Sequence, residues 1–162
     1  PIYEAIDLTS SDIGVLARAI YAEARGEDEE GKKLVAKVIE NRVESKRFPK
    51  SYKGVVEQKA KNKKGVWVYQ FTSANPNDNN YDEYQEPLTD GEASEAFIKS
   101  LQAAINTVNG FNYIVDNETI LYYSPKSMVP AYSEPGWNFS ILEETTPETI
   151  DKKSFRSFKY KK

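Results

Sequence analysis

Between Glu30 and Ser45 the apolar residues Leu34, Val35, Val38, Ile39 and Val43 recur at helical spacing. The face they form is wide enough to be sandwiched between other elements and too wide for a helix covered on one side only. The chain must therefore supply further apolar surfaces to cover it. One precedes it: Thr9-Ser10-Ser11-Asp12 offers side-chain caps ahead of Ile13, Leu16, Ala17, Ile20 and Ala24, with Gly26 as the stop. Another follows, starting near Thr89-Asp90, carrying Ala93, Phe97, Leu101, Ala104, Ile105 and Val108, and ending at Asn109-Gly110. A short helix is expected over Tyr52 to Gln58, after a loop at Ser45 to Pro49.

The rest of the chain reads differently. Lys59 to Pro87 shows no sustained period, and a long irregular stretch in a compact domain is more often a functional wall than a spacer. Beyond residue 110, β-like pieces stand at Thr119 to Tyr123, Trp137 to Leu142 and Ser154 to Tyr160, separated by Pro-containing loops. With 162 residues, no repeat and no linker, residues 1–162 are expected to form one domain. The expected fold class is α+β, mainly helical, with a small β region in the C-terminal half.

Composition narrows the chemistry. The chain holds no His and no Cys, which removes thiol nucleophiles, imidazole bases, Ser-His-Asp triads and His or Cys zinc ligands. Catalysis then falls to carboxylates, Tyr, Lys or oxygen ligands. Asp78, Asp82 and Glu83 are the nearest approach to a calcium loop and lack its spacing, so neither metal nor cofactor is expected. A net charge of −3 argues against a general nucleic-acid surface. No apolar run approaches the roughly 18 residues of a membrane span. The opening on Pro1 is what trimming of an initiator or of a longer precursor would leave.

Glu23 is the most informative carboxylate. It falls seven positions after Leu16 and three after Ile20, inside or at the edge of the first helix's apolar stripe, while Arg18 and Arg25 are expected to point away. Burial disfavours its charged form, which would suit an acid that protonates a leaving oxygen near neutral pH. The alternative is a structural Glu, either paired with Arg42, which lies on the apolar face of the second helix, or capping a neighbouring loop. Gln70 can donate and accept hydrogen bonds at once, which suits a polar ligand, or is an ordinary loop amide. Tyr122, Tyr123 and Trp137 offer stacking faces and hydroxyl or indole donors, or are packing residues. Strand alternation puts the two tyrosines on opposite faces, so one is expected at a cleft.

The blocks Ile20-Tyr-Ala-Glu-Ala-Arg-Gly-Glu27, Glu30-Gly31, Val38-Ile-Glu-Asn-Arg-Val43 and Arg47-Phe-Pro49 resemble the signature of the SleB-type cell-wall hydrolases, the spore-cortex-lytic enzymes and related phage lysins. Gln70-Phe71-Thr72, Leu121-Tyr-Tyr-Ser-Pro125 and Trp137 extend the resemblance. It implies a lysozyme-like domain, extracellular or wall-associated, that cleaves peptidoglycan between N-acetylmuramic acid and N-acetylglucosamine. It further implies Glu23 as the single catalytic acid of a lytic transglycosylase forming 1,6-anhydromuramic ends, with Gln70, Tyr122, Tyr123 and Trp137 toward substrate, acting as a monomer. A hydrolysing muramidase with a second acid from residues 78–95, and a non-catalytic wall-binding or phage structural module, are the alternatives.

Two features depart from the family pattern. Lys152-Lys153 precede Ser154-Phe155 where the family usually carries Asn-His, and Lys59 to Gly65 looks like an inserted basic segment. Residues 78–95 hold seven acids and no base, and residues 151–162 six bases and one acid, runs that are usually solvated faces.

Overall fold

Ser11 and Asp28 start the two helices that build the core. The computed structural model describes residues 6–89 and 92–162. Helix α1 (Asp12–Ala24) begins where the Ser11 hydroxyl accepts from Gly14 N–H, and α2 (Glu29–Glu44) where the Asp28 carboxylate accepts from Gly31 N–H. Gly14 is required for a second reason: a Cβ there would stand 2.7 Å from Leu8 Cα, so the incoming chain crosses against bare backbone. Leu34, Val35, Val38 and Ile39 are fully buried, as the width of the stripe demands, while Val43 lies at the core's edge.

Helix α3 (Tyr52–Val56) is shorter than the pattern suggested. The third long helix, α5 (Glu95–Val108), starts later than expected. Ser94 caps it, accepting from Phe97 N–H, and the preceding residues instead form the antiparallel pair β3 (Leu88–Thr89) and β4 (Glu92–Ala93). Asp90, named in the expected start, lies outside the described residues. The helix ends at Asn109, and Gly110 takes a φ of +83°, the left-handed geometry glycine tolerates. Helix α1 packs against both α2 and α5, which explains why Ala17, Ala19, Ala22 and Ala24 are all buried: small side chains let both partners approach.

Residues 59–87 are more regular than their sequence suggests. They contain the hairpin β1 (Lys59–Lys61) and β2 (Trp67–Tyr69), a 3₁₀ turn at Thr72–Ala74 and the short helix α4 (Tyr81–Gln85). Arg18 does not point to solvent. It is buried, its guanidinium donating to the carbonyls of Leu8, Tyr84 and Thr9 and lying over the Tyr84 ring, because α4 and the chain entering α1 cover that side of the helix.

The C-terminal half holds an antiparallel sheet in the order β5 (Leu121–Tyr123), β7 (Arg156–Tyr160), β6 (Leu142–Glu144). The strand expected from Trp137 is displaced, since Phe139–Ile141 form a 3₁₀ turn and pairing begins at Leu142. Tyr122 sits opposite Ser157 and Tyr123 opposite Arg156. Alternation therefore sends Tyr122 toward the helical core and Tyr123 into a satellite cluster with Leu142, Phe158 and Trp137. The architecture is α+β and mainly helical, with its largest sheet in the C-terminal half. No helix among the described residues is long and apolar enough to cross a membrane.

Candidate active site

Glu23 lies in the last turn of α1, between the buried Ala22 and Ala24, and opens on a cleft of about 340 Å³. One wall is the segment after β2, with Gln70, Phe71 and Thr72; the other is the end of β5 and its following turn, with Tyr122, Tyr123 and Met128. Glu23 is the only carboxylate lining this cleft among the described residues. The alternative pairing with Arg42 is not formed as a direct ion pair, because no described cation comes within 4.0 Å of the Glu23 carboxylate. Glu23 is half-buried and is not sealed in the core.

Burial pushes the Glu23 carboxyl up to about 7, against its ordinary 4.5. Although the residue keeps some surface toward the cleft, packed groups surround its carboxyl and withhold the water that would solvate a charge. The Tyr122 hydroxyl opposes this by donating to Oε1 at 3.3 Å. Ser73, whose buried hydroxyl has no formal hydrogen-bond partner in the static structure, also favours the carboxylate; Asp78 disfavours it and Arg42 favours it. The result is a carboxyl that holds and releases a proton near neutrality. Burial and the neighbouring Glu23 raise the Tyr122 hydroxyl well above 10, so it stays a donor.

The positioning of these groups begins in α2. Asn41 Nδ2 donates to the carbonyls of Asp116 and Thr119, each at 2.9 Å, and Arg42 Nε donates to Ile120 O at 2.7 Å. These bonds pin the chain entering β5 and so place Tyr122, two residues further on. The Arg42 guanidinium lies 5.0 Å from the Phe48 ring centre and 5.2 Å from that of Phe71, an aromatic sandwich that keeps a cation in the cleft floor. Burial lowers it only to about 10, so it stays charged at neutral pH.

At the end of α1 the buried Lys32 ammonium donates to the carbonyls of Ala24, Arg25 and Glu27. It satisfies carbonyls that the helix leaves open and offsets their negative end beside Glu23. Glu27 is paired with Lys126, tying the turn after β5 to the same helix end. Neither Lys32 nor Ser73 stood out in the sequence. A charged residue within an apolar stripe was the available signal for Lys32, and an isolated serine gives none.

Gln70, Tyr122 and Tyr123 are thus brought to one cleft with Glu23, whereas Trp137 is not among its lining residues. Trp137 packs edge-on against Tyr123, ring centres 5.7 Å apart, behind the cleft wall. Both tyrosines line the cleft, although alternation led to the expectation of one. Tyr123 is the last residue of β5, where the chain turns into Ser124-Pro125 and leaves its side chain at the rim. Arg156 holds it there, donating to Tyr123 Oη at 3.0 Å while its fork binds both oxygens of Glu144.

A family model described as cell wall hydrolase matches residues 26–155. The chain belongs to the cell wall hydrolase family. Glu23 lies just ahead of the matched span. Within this chain, one segment is 50% identical over 48 residues to a spore cortex-lytic enzyme of Bacillus subtilis (strain 168), covering 30% of this chain and 16% of that relative. A spore cortex-lytic enzyme of Oceanobacillus iheyensis is 48% identical over 48 residues, 30% of this chain and 17% of the relative. These segments span less than a fifth of the relatives' own length. The chain also shares the fold of the catalytic domain of the germination-specific lytic transglycosylase SleB from Bacillus anthracis, with TM-score 0.62 at 23% identity over 95% of this chain and 100% of that one. The catalytic domain of Bacillus cereus SleB gives TM-score 0.56 at 24% identity over 93% and 89% of the two chains.

Proposed function

We propose that residues 1–162 form one catalytic unit that cuts peptidoglycan glycan strands between N-acetylmuramic acid and N-acetylglucosamine by transglycosylation. The observation that carries this reading is a single carboxyl, held near neutrality by burial, as the only acid lining an open cleft among the described residues. Protonated Glu23 gives its proton to the glycosidic oxygen as the bond to muramic C1 breaks. The resulting carboxylate then takes the proton of the muramic 6-hydroxyl while that oxygen bonds to C1, closing a 1,6-anhydro ring. Glu23 is thereby returned to its protonated form for the next cut, and water is not consumed.

Arg42 and the Tyr122 hydroxyl steady the carboxylate between these two steps, when it carries charge. Gln70, Tyr122 and Tyr123 contact the sugars and Trp137 backs Tyr123. Hydrolysis by a paired-carboxylate mechanism requires a second acid across the sugar. Residues 78–95 contribute Asn80 to the cleft lining, and no acid among the described residues. The names of the relatives agree with a wall substrate, which favours the cell wall or spore cortex as the site of action. Mass spectrometry of digested sacculi is the test: anhydro-muropeptides are expected, reducing muramic ends would mean hydrolysis, and no glycosidic product would leave a binding module.

A further inference from the structure

The β1–β2 hairpin projects beside the cleft without a protein partner for most of its surface. Its register places Lys59 opposite Tyr69 and Lys61 opposite Trp67, so both pairs share one face. Lys59 Nζ is 4.8 Å from the Tyr69 ring centre and Lys61 Nζ 5.3 Å from that of Trp67. Lys63 and Lys64 follow in the connecting turn, where Gly65 takes a φ of +78°. Between residues 58 and 77 there are four lysines and no acid, on a chain whose net charge is −3. No described carboxylate lies within 4.0 Å of these lysines. Trp67 is 62% exposed, too much for a core role.

The hairpin is continuous with the cleft. Gln70 N–H donates to Gln58 O at 2.9 Å, extending the ladder to the residue that lines the Glu23 cleft, and Trp67 precedes Gln70 by about 10 Å of extended strand. An exposed indole beside cations suits a ligand that alternates flat apolar faces with carboxylates. A glycan strand bearing acidic peptide stems has that alternation.

We propose that the Lys–aromatic face of this hairpin is a substrate arm, binding the carboxylates of the peptide stems on the strand whose glycosidic bond the cleft presents to Glu23. This rests on the peptidoglycan reading above. The arm adds affinity and leaves the bond-cutting step to the cleft.

The test measures binding of the Glu23→Gln protein to purified sacculi freed of phosphate polymers by hydrofluoric acid. In that background Lys59→Gln with Lys61→Gln is expected to weaken binding roughly three- to tenfold, and Lys59→Arg with Lys61→Arg to retain it. Trp67→Ala is expected to weaken binding without changing its salt dependence. On strands stripped of their stems by an amidase, the glutamine pair and its parent should bind alike. Equal binding on intact sacculi, or a deficit that survives stem removal, overturns the arm; so does a deficit seen only while phosphate polymers remain. Product analysis of the protein with Glu23 intact separates the two readings. No glycosidic product, with stem-dependent binding preserved, refutes the cleavage reading and leaves the arm as a wall-binding surface.

Discussion

The Tyr122 hydroxyl donates to Glu23 Oε1 across 3.3 Å, although the two residues stand 99 positions apart in the chain. The contact joins the last turn of α1 to β5, and α2 makes it possible by pinning the backbone at Thr119 and Ile120. A proton-transfer group on one element is thereby tuned by a donor on another.

Glu23→Gln is expected to lower sacculus lysis at least 100-fold, since a general acid commonly contributes that much and the amide keeps the shape without a transferable proton. Stability should respond in the opposite sense. Because burial raises the folded carboxyl from 4.5 to about 7, the folded state holds its proton more tightly than the unfolded one. Wild-type stability therefore falls as pH rises through that window, and the glutamine protein, free of this cost, gains on the order of 3 kcal/mol relative to wild type above pH 7. Urea unfolding at pH 4 and pH 8 measures the difference; a gap that does not widen between them would refute the assignment.

Tyr122→Phe removes a donor that favours the carboxylate, so the Glu23 carboxyl should rise further. The basic limb of the pH–rate profile should move to higher pH, while the limiting rate falls roughly tenfold, the scale of one modest hydrogen bond to a charge. Lysis rates from pH 5 to pH 9 check both directions at once.

Arg42→Met should also move the basic limb upward, because it removes a cation that favours charged Glu23. It should destabilise the fold by about 1–3 kcal/mol as well, leaving Ile120 O without its donor. Arg42→Lys, which keeps the charge but not the Nε geometry, should recover the pH profile more than the stability. Thermal unfolding alongside the rate profile separates these effects.

Glu144 predicts the opposite pH behaviour. The Arg156 fork holds its carboxyl down to about 2, against an ordinary 4.5, so the pair's contribution is complete above pH 4.5 and is lost as pH falls toward 2. Both side chains are about a quarter to a third exposed, which limits the contribution to about 1 kcal/mol. Glu144→Gln should flatten acid unfolding over that interval and weaken the hold on Tyr123, read as a higher substrate concentration at half-maximal rate.

What the sequence by itself determined are the features set by near neighbours in the chain. The existence of the three long helices, the cap ahead of the first and the buried stripe of α2 follow from spacing and local hydrogen bonding, as does the opposed direction of Tyr122 and Tyr123. Glu23 was conspicuous for the same reason, as an acid at the edge of an apolar stripe. Arg18 and the start of α5 misled because tertiary neighbours overrode the local pattern. A buried arginine needs carbonyls, which Leu8, Thr9 and Tyr84 supply once the chain is folded, and residues before Ser94 pair as short antiparallel strands. Only the tertiary structure decided that Glu23 opens on a cleft, that its charge is opposed by burial and helped by Tyr122, and that Trp137 stands behind the wall. Those properties depend on desolvation and on atoms brought within a few ångströms from distant parts of the chain, and periodicity along a sequence carries no term for either.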